Sequence, residues 1–279
     1  MINYSINSAI DSKEVYQNII DNKVKQDSID CLEECKSNVY EDYDAYLDNK
    51  TTLEKVNPDM RILPKHKTEL INVYESKPAA LQRALDKLTA KMPLGLSGKC
   101  VYCLLSEANT FDHYLNKDRY PEYSIFVPNL LPVCTWCNSY KCATPAIDSK
   151  GVHHFIHNVF DILPTVPYLF YDIEVRNHAL IVKKIRLDFS LDPTNKLNEV
   201  IKRQYRKLHL IERLEKQFPD DIAAILIDFE DEELDEAEVK RILKRKLDKY
   251  EKKFGANYWI TSIYRGLLNN SAVIAFLCG

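Results

Sequence analysis

Residues 100–141 read CVYCLLSEANTFDHYLNKDRYPEYSIFVPNLLPVCTWCNSYK, and this stretch decides the fold. Two CxxC pairs, Cys100/Cys103 and Cys134/Cys137, stand about 30 residues apart. Paired knuckles at that separation read as a tetrahedral zinc site, because four thiolates supply the soft, closed coordination that structural zinc prefers. Between and just after the knuckles lie Asp112, His113, Asn129 and Asn138. A zinc clamp has no use for these four residues, whereas a second, catalytic metal has. From Thr110 to Lys141 the pattern reads as a strand carrying Asp112-His113, an irregular excursion through Tyr120-Pro121-Glu122-Tyr123-Ser124, a second strand near Leu130 to Val133, and a short helix opening at the second knuckle.

Asp112 and Asn138 offer hard oxygens that suit Mg²⁺ or Mn²⁺ and leave coordination positions for water and phosphate. His113, next in sequence to Asp112, projects to the other face of a strand and is free to take a proton from water. Asn129 is expected to fix the tautomer of the imidazole by hydrogen bonding its second ring nitrogen. Lys117, Arg119 and Lys141 lie beside the motif and either grip phosphates or form solvated surface charge. One metal and one base make a hydrolase for phosphodiesters.

Asp112-His113, Asn129-Leu130 and Cys137-Asn138-Ser139-Tyr140-Lys141 resemble the HNH (ββα-metal) endonuclease family, in the variant where the last histidine is replaced by asparagine. The segment from Asp112 to Lys141 is similar to a bacterial subgroup that reads DHYLPK followed by YPEF or YPEY, with Asn116 here in place of a loop proline. The resemblance implies His113 as general base, Asp112 and Asn138 as ligands of a catalytic Mg²⁺ or Mn²⁺, and Asn129 as orienting residue. It implies Cys100, Cys103, Cys134 and Cys137 as structural Zn²⁺ ligands, and DNA cleavage leaving 5′-phosphate and 3′-hydroxyl ends. Several members of such families work in prokaryotic antiphage systems beside an ATPase, as in Septu-like pairs, and the resemblance implies by analogy a similar role and partner here. The competing readings are a non-catalytic zinc-ribbon subunit that binds or targets nucleic acid, and RNA as the substrate.

Outward from this stretch, residues 1 to about 60 read as helical and strongly acidic, with Glu33, Glu34, Glu41, Asp42, Asp44 and Asp48. That region is expected to be a surface extension, or to dock on a basic partner or occlude the cleft. Helical periodicity from Thr68 to Met92 precedes the first knuckle. After the motif, Tyr171/Ile173/Val175 and Ile185/Leu187/Phe189 alternate with polar residues around Arg176-Asn177-His178, as in a hairpin. Asp192-Pro193 reads as a helix start. The following helix carries Leu197, Ile201, Leu208, Ile211, Leu214 and Phe218 inward, with Lys202, Arg203, Arg206 and Lys207 mostly on another face. The acidic run Asp228 to Glu238 leads to a last long helix. The expected fold is α+β and helix-rich, with a central zinc-stapled ββα module and a C-terminal hairpin plus helices. Its expected segments are an acidic helical region 1–62, a nuclease module with helical lead-in 63–150, and a hairpin and helical region 151–279.

With 279 residues, of which 46% are hydrophobic, the chain can bury a sizeable core. Its net charge of −3 argues against a stand-alone cationic nucleic-acid binder, so a protein partner or an oligomer is expected to assist binding. No basic-then-apolar leader or bilayer-length apolar run is evident, which points to the cytoplasm and away from a membrane. Cys31, Cys35, Cys142 and Cys278 read as inert thiols. His153, His154 and His157 read as surface or packing residues, against a second metal site, and the resemblance of His157 and Asp161 to a stretch of the subgroup implies that they border the active site.

Overall fold

The computed structural model describes residues 10–90, 95–142, 144–229 and 234–278, so the start of the acidic region, the end of the helical run to Met92 and part of the run from Asp228 to Glu238 lie outside the described residues. The chain is α+β with helices dominant and two small antiparallel sheets. It divides into two compact units, one up to Ile162 and the other from Leu163.

The first unit opens with α1 (Ser12–Asp21), capped by the Asp11 carboxylate on the amides of Lys13 and Glu14. In α2 (Gln26–Asp48), Leu32, Cys35, Val39, Tyr43 and Tyr46 recur at helical spacing and are all buried. Helix α3 (Pro64–Ser76) begins on a proline and ends where Lys77 turns left-handed. Helix α4 (Ala79–Ala90) follows, so the single expected run from Thr68 is two helices. The cause is Pro78, which disfavours helical backbone at the residue before it. Strand β1 (Thr110–His113) pairs antiparallel with β2 (Leu130–Val133), setting Asp112 opposite Leu131 and His113 opposite Leu130. Helix α5 (Thr135–Lys141) starts at Cys134.

Residues from all three expected segments meet inside this unit, the third through His157, whose ring centroid lies 6.4 Å from that of Tyr46. Tyr43 lies 4.3 Å from the Phe126 ring, and Tyr46 packs edge-on against Tyr123 and Phe126 at 4.9 and 5.1 Å. Such aromatic pairs contribute about 0.5–1.5 kcal/mol each beyond their burial. The acidic face of α2 is therefore only its outer side; its inner side is core.

In the second unit, β3 (Leu169–Arg176) and β4 (Ala179–Leu187) form the expected hairpin, joined through Asn177 and His178, both at positive φ. Two left-handed residues define the tight hairpin turn whose twist matches the strands. The helix expected from Pro193 instead starts at α6 (Asn198–Lys207). Asn195 and Asn198 bind Asp192, and Leu197 N–H donates to the Asn195 side chain, a local turn that competes with helix. That helix also breaks at His209, φ +51°, before α7 (Leu210–Leu226). The break lets both Leu208 and Leu210 bury, and moves the buried face of α7 to Leu210, Leu214, Phe218, Ile222 and Ile225, leaving Ile211 half-buried. Helix α8 (Glu236–Phe254) has a reciprocal Asp235/Glu238 cap. Helices α9 (Trp259–Leu268) and α10 (Ser271–Leu277) complete the unit. Gly266 lets α9 press on β3, where a side-chain carbon would meet the Tyr171 carbonyl oxygen at 2.5 Å. No helix among the described residues is long and apolar enough to cross a membrane.

Candidate functional site

The four cysteines of the two knuckles are buried, with their sulfur atoms all within 4.8 Å of one another. Cys103 and Cys134 Sγ are 3.9 Å apart, far beyond a disulfide bond. Zinc–sulfur bonds of about 2.3 Å in a tetrahedron separate sulfurs by about 3.8 Å, so the cluster fits a zinc ion. The Cys137 amide donates to Cys134 Sγ at 3.4 Å, the turn geometry of a knuckle. In the first knuckle, the backbone turns through Leu104 at φ +60°. Burial raises the Cys100 thiol well above its ordinary value, and hydrogen bonds led by Cys100 lower Cys134. Four crowded thiols cannot all ionise by themselves; a soft cation lets them do so.

Two connections join this cluster to the strands: Val101 N–H donates to the Pro132 carbonyl, and Asn109 N–H to that of Val133. Successive residues of a strand face opposite sides. Asp112 accordingly turns to Tyr102 and Lys141, whereas His113 turns to Tyr74 and Ser124. Tyr102 Oη donates to Asp112 Oδ2 at 2.7 Å, and Lys141 Nζ binds Oδ1 at 2.8 Å and the His113 carbonyl at 3.1 Å. Lys141, expected at the surface, is 3% exposed. Its charge is consumed in holding Asp112, so it does not stand open to a phosphate.

His113 Nε2 lies 2.9 Å from the Ser124 carbonyl oxygen. A carbonyl only accepts, so Nε2 carries the proton and Nδ1 is the ring's acceptor. The Tyr74 ring from α3 meets the imidazole edge-on at 4.3 Å, and Tyr74 Oη donates to the Phe111 carbonyl. Burial lowers the pKa of His113 to about 3; the bond to Ser124 opposes this, and Lys117 and Lys141 add to it. The imidazole is neutral at neutral pH. Lys117 also pairs with Glu75 at 2.8 Å, while Arg119 is exposed and lies over the Tyr120 ring. Asn138 is half-buried on α5.

Asn129 does not take the place expected of it against the ring. Its Nδ2 donates to the carbonyls of Leu115 and Tyr123, at 2.9 and 3.3 Å, and its Oδ1 accepts from Leu115 N–H at 2.8 Å and Tyr46 Oη at 3.2 Å. Both donors and both lone pairs are used. The carboxamide thus clamps the two ends of the excursion between β1 and β2, and reaches the imidazole only through the chain that presents Ser124. A backbone carbonyl has no signature in the sequence, which is why Ser124 was missed. Tyr74 and Tyr102 were missed because their roles depend on tertiary placement.

The three histidines after the motif separate: His153 meets Glu54 at 3.1 Å and His154 meets Asp148 at 3.2 Å. His157 is buried against Tyr46, with its amide on Asp161. Among the described residues the cysteines are the one group of three or more Cys, His, Asp or Glu placed to hold a metal. For a hard divalent ion the donor types at Asp112 and Asn138 are suitable, and two of the roughly four lone-pair positions of Asp112 remain open. The fit is partial, because the Lys141 ammonium already shares that carboxylate. No family model matches this chain, and no curated protein or solved structure matches it.

Proposed function

We propose that the chain is a metal-dependent HNH endonuclease that hydrolyses phosphodiester bonds. One observation carries this reading: a neutral imidazole with its proton fixed on Nε2 stands on an antiparallel strand pair, back to back with a buried carboxylate. Beside it lies a four-cysteine cluster that fits zinc and braces the strand–helix junction.

In this reading His113 Nδ1 accepts the proton of an attacking water. The resulting imidazolium is disfavoured by burial and by Lys117 and Lys141. An anionic phosphodiester at the ring offsets both lysines and raises the ring's basicity where it is needed. Asp112 and Asn138 would hold Mg²⁺ or Mn²⁺, which supplies positive charge against the developing negative charge on phosphate oxygens. Lys117 and Arg119 draw the phosphate backbone in by charge. DNA as substrate, an ATPase partner, a place in antiphage defence and a cytoplasmic setting follow from the family resemblance and belong to the same proposal.

The competing reading, a non-catalytic zinc-stapled binding module, has one observation in its favour, the internal neutralisation of Asp112 by Lys141. Plasmid nicking separates the two. Cleavage with Mg²⁺ or Mn²⁺, abolished by EDTA and lowered at least about 100-fold by His113→Ala, is expected. Undiminished cleavage by a folded His113→Ala variant removes the proposed mechanism.

A further inference from the structure

The acidic N-terminal helix lies outside the family resemblance, yet it contributes a hydroxyl to the clamp behind His113. Tyr46 and Asn129 are each 0% exposed, and His157 is 1% exposed. The Tyr46 hydroxyl has one proton, and Asn129 Oδ1 can only accept, so the proton points to Asn129 at 3.2 Å. His157 Nε2, also 3.2 Å from Tyr46 Oη, must then be the donor to it. A directed chain results: His157 N–H to Tyr46, Tyr46 to Asn129, and Asn129 to the backbone of Leu115 and Tyr123. The residue after Tyr123 supplies the carbonyl that holds the imidazole.

We infer that Tyr46 is a positioning residue for His113, and that α2 is an integral part of the site rather than a docking arm. This rests on the nuclease reading above. Without the hydroxyl, Asn129 keeps its three backbone bonds but loses the partner that fixes its carboxamide plane, so the far end of the excursion loosens. The ring of Tyr46 packs against Tyr123 and Phe126 independently of the hydroxyl, so Tyr46→Phe retains the core. Tyr43 is the internal control. It lies on the same helix, is equally buried, and its hydroxyl has no hydrogen-bond partner.

The experiment compares Tyr46→Phe and Tyr43→Phe with the full-length wild type, at a temperature where circular dichroism shows all three folded. Nicking kinetics are expected to show kcat lowered about 10- to 100-fold for Tyr46→Phe, the range of a small misplacement, with KM for DNA unchanged and Tyr43→Phe like wild type. A Tyr46→Phe variant that loses thermal stability but keeps kcat overturns the inference. Amide and imidazole hydrogen exchange supplies the arm independent of catalysis. Faster exchange at Leu115 N–H and His113 Nε2–H in Tyr46→Phe alone supports positioning, and equal rates overturn it. If the wild type cleaves nothing, the nuclease reading falls while the exchange arm still decides whether Tyr46 positions the imidazole. Should Tyr46→Phe fail to fold, His157→Leu removes the donor that anchors the hydroxyl beside Asn129. It is expected to lower kcat and speed the same exchange, and unchanged values of both overturn the inference.

Discussion

The four-cysteine cluster and the Asp112–His113 face lie in one unit, both buried, and they resolve the cost of burying ionisable groups in different ways. The thiols converge on a point where a cation from outside would satisfy all four. The Asp112 carboxylate has a cation from its own chain, Lys141. Isolated buried charge is costly, and each site shows a different remedy. The contrast teaches that ligands at fixed spacing announce themselves, whereas an internal counter-ion does not.

The largest effect expected from breaking the contrast is at the cysteines. Structural zinc contributes on the order of 10 kcal/mol to folding in small domains. Cys100→Ser, or a strong zinc chelator, is expected to leave the first unit insoluble or molten, read as loss of near-ultraviolet dichroism and of exchange protection in β1, β2 and α5. A soluble Cys100→Ser variant with wild-type melting would show that the cluster is not a zinc clamp. It would then be four inert thiols.

Legibility in the sequence follows the same division. Cysteine spacing, strand alternation around Asn177 and His178, and the run Leu130 to Val133 are local signals, and the structure places elements there. Lys141 reads as a phosphate grip or a solvated charge, because lysines are seldom buried without a partner, and its partner is 29 positions away. Tyr46 lies 83 positions from Asn129, and nothing in a single helix's apolar stripe marks one tyrosine as the owner of a critical hydroxyl. The missed breaks share a cause: the apolar period continues across Pro78 and His209, while turn chemistry and a left-handed residue interrupt the backbone.

Removing the internal cation is the second test. Lys141→Met leaves the Asp112 carboxylate buried with Tyr102 alone, and breaking a buried pair in this way costs about 3–5 kcal/mol. If Asp112 is also a ligand for Mg²⁺ or Mn²⁺, the variant is expected to recover part of that loss in millimolar metal. A ligand that binds only the folded state stabilises it by mass action. Thermal melts with and without Mg²⁺ should then show a larger metal-induced rise in Tm for Lys141→Met than for wild type. Equal rises in the two proteins would separate Asp112 from any metal, and would favour the binding-module reading of the site.

A third remedy, the proton, is used at Glu122 in the same excursion that Asn129 clamps. Glu122 is 0% exposed, accepts from Asp59 N–H at 3.2 Å through Oε1, and has no hydrogen-bond partner for Oε2. Burial raises its pKa to about 8, with Asp42 and Asp59 adding to the shift, and burial together with Asp59 raises Asp42 to about 7. In the unfolded chain a glutamate titrates near about 4.3. The folded state therefore holds a proton that the unfolded state has released between those values, so stability falls as pH rises from there to about 8. His157 acts in the opposite sense, since burial lowers its pKa to about 3 and its contribution is lost as pH falls below about 6.5. Above that pH the histidine contribution is flat, and a buried carboxyl group lowers stability by up to about 1.4 kcal/mol per pH unit for one proton. Glu122→Gln carries its hydrogen permanently. It should match the wild type near pH 4 and become the more stable protein by about 5 kcal/mol at pH 8.5, measured by denaturant melts across that range. Parallel curves for the two proteins would mean that Glu122 is ionised in the fold and meets a cation, as the cysteines and Asp112 do, and the distinction between the three remedies would reduce to two.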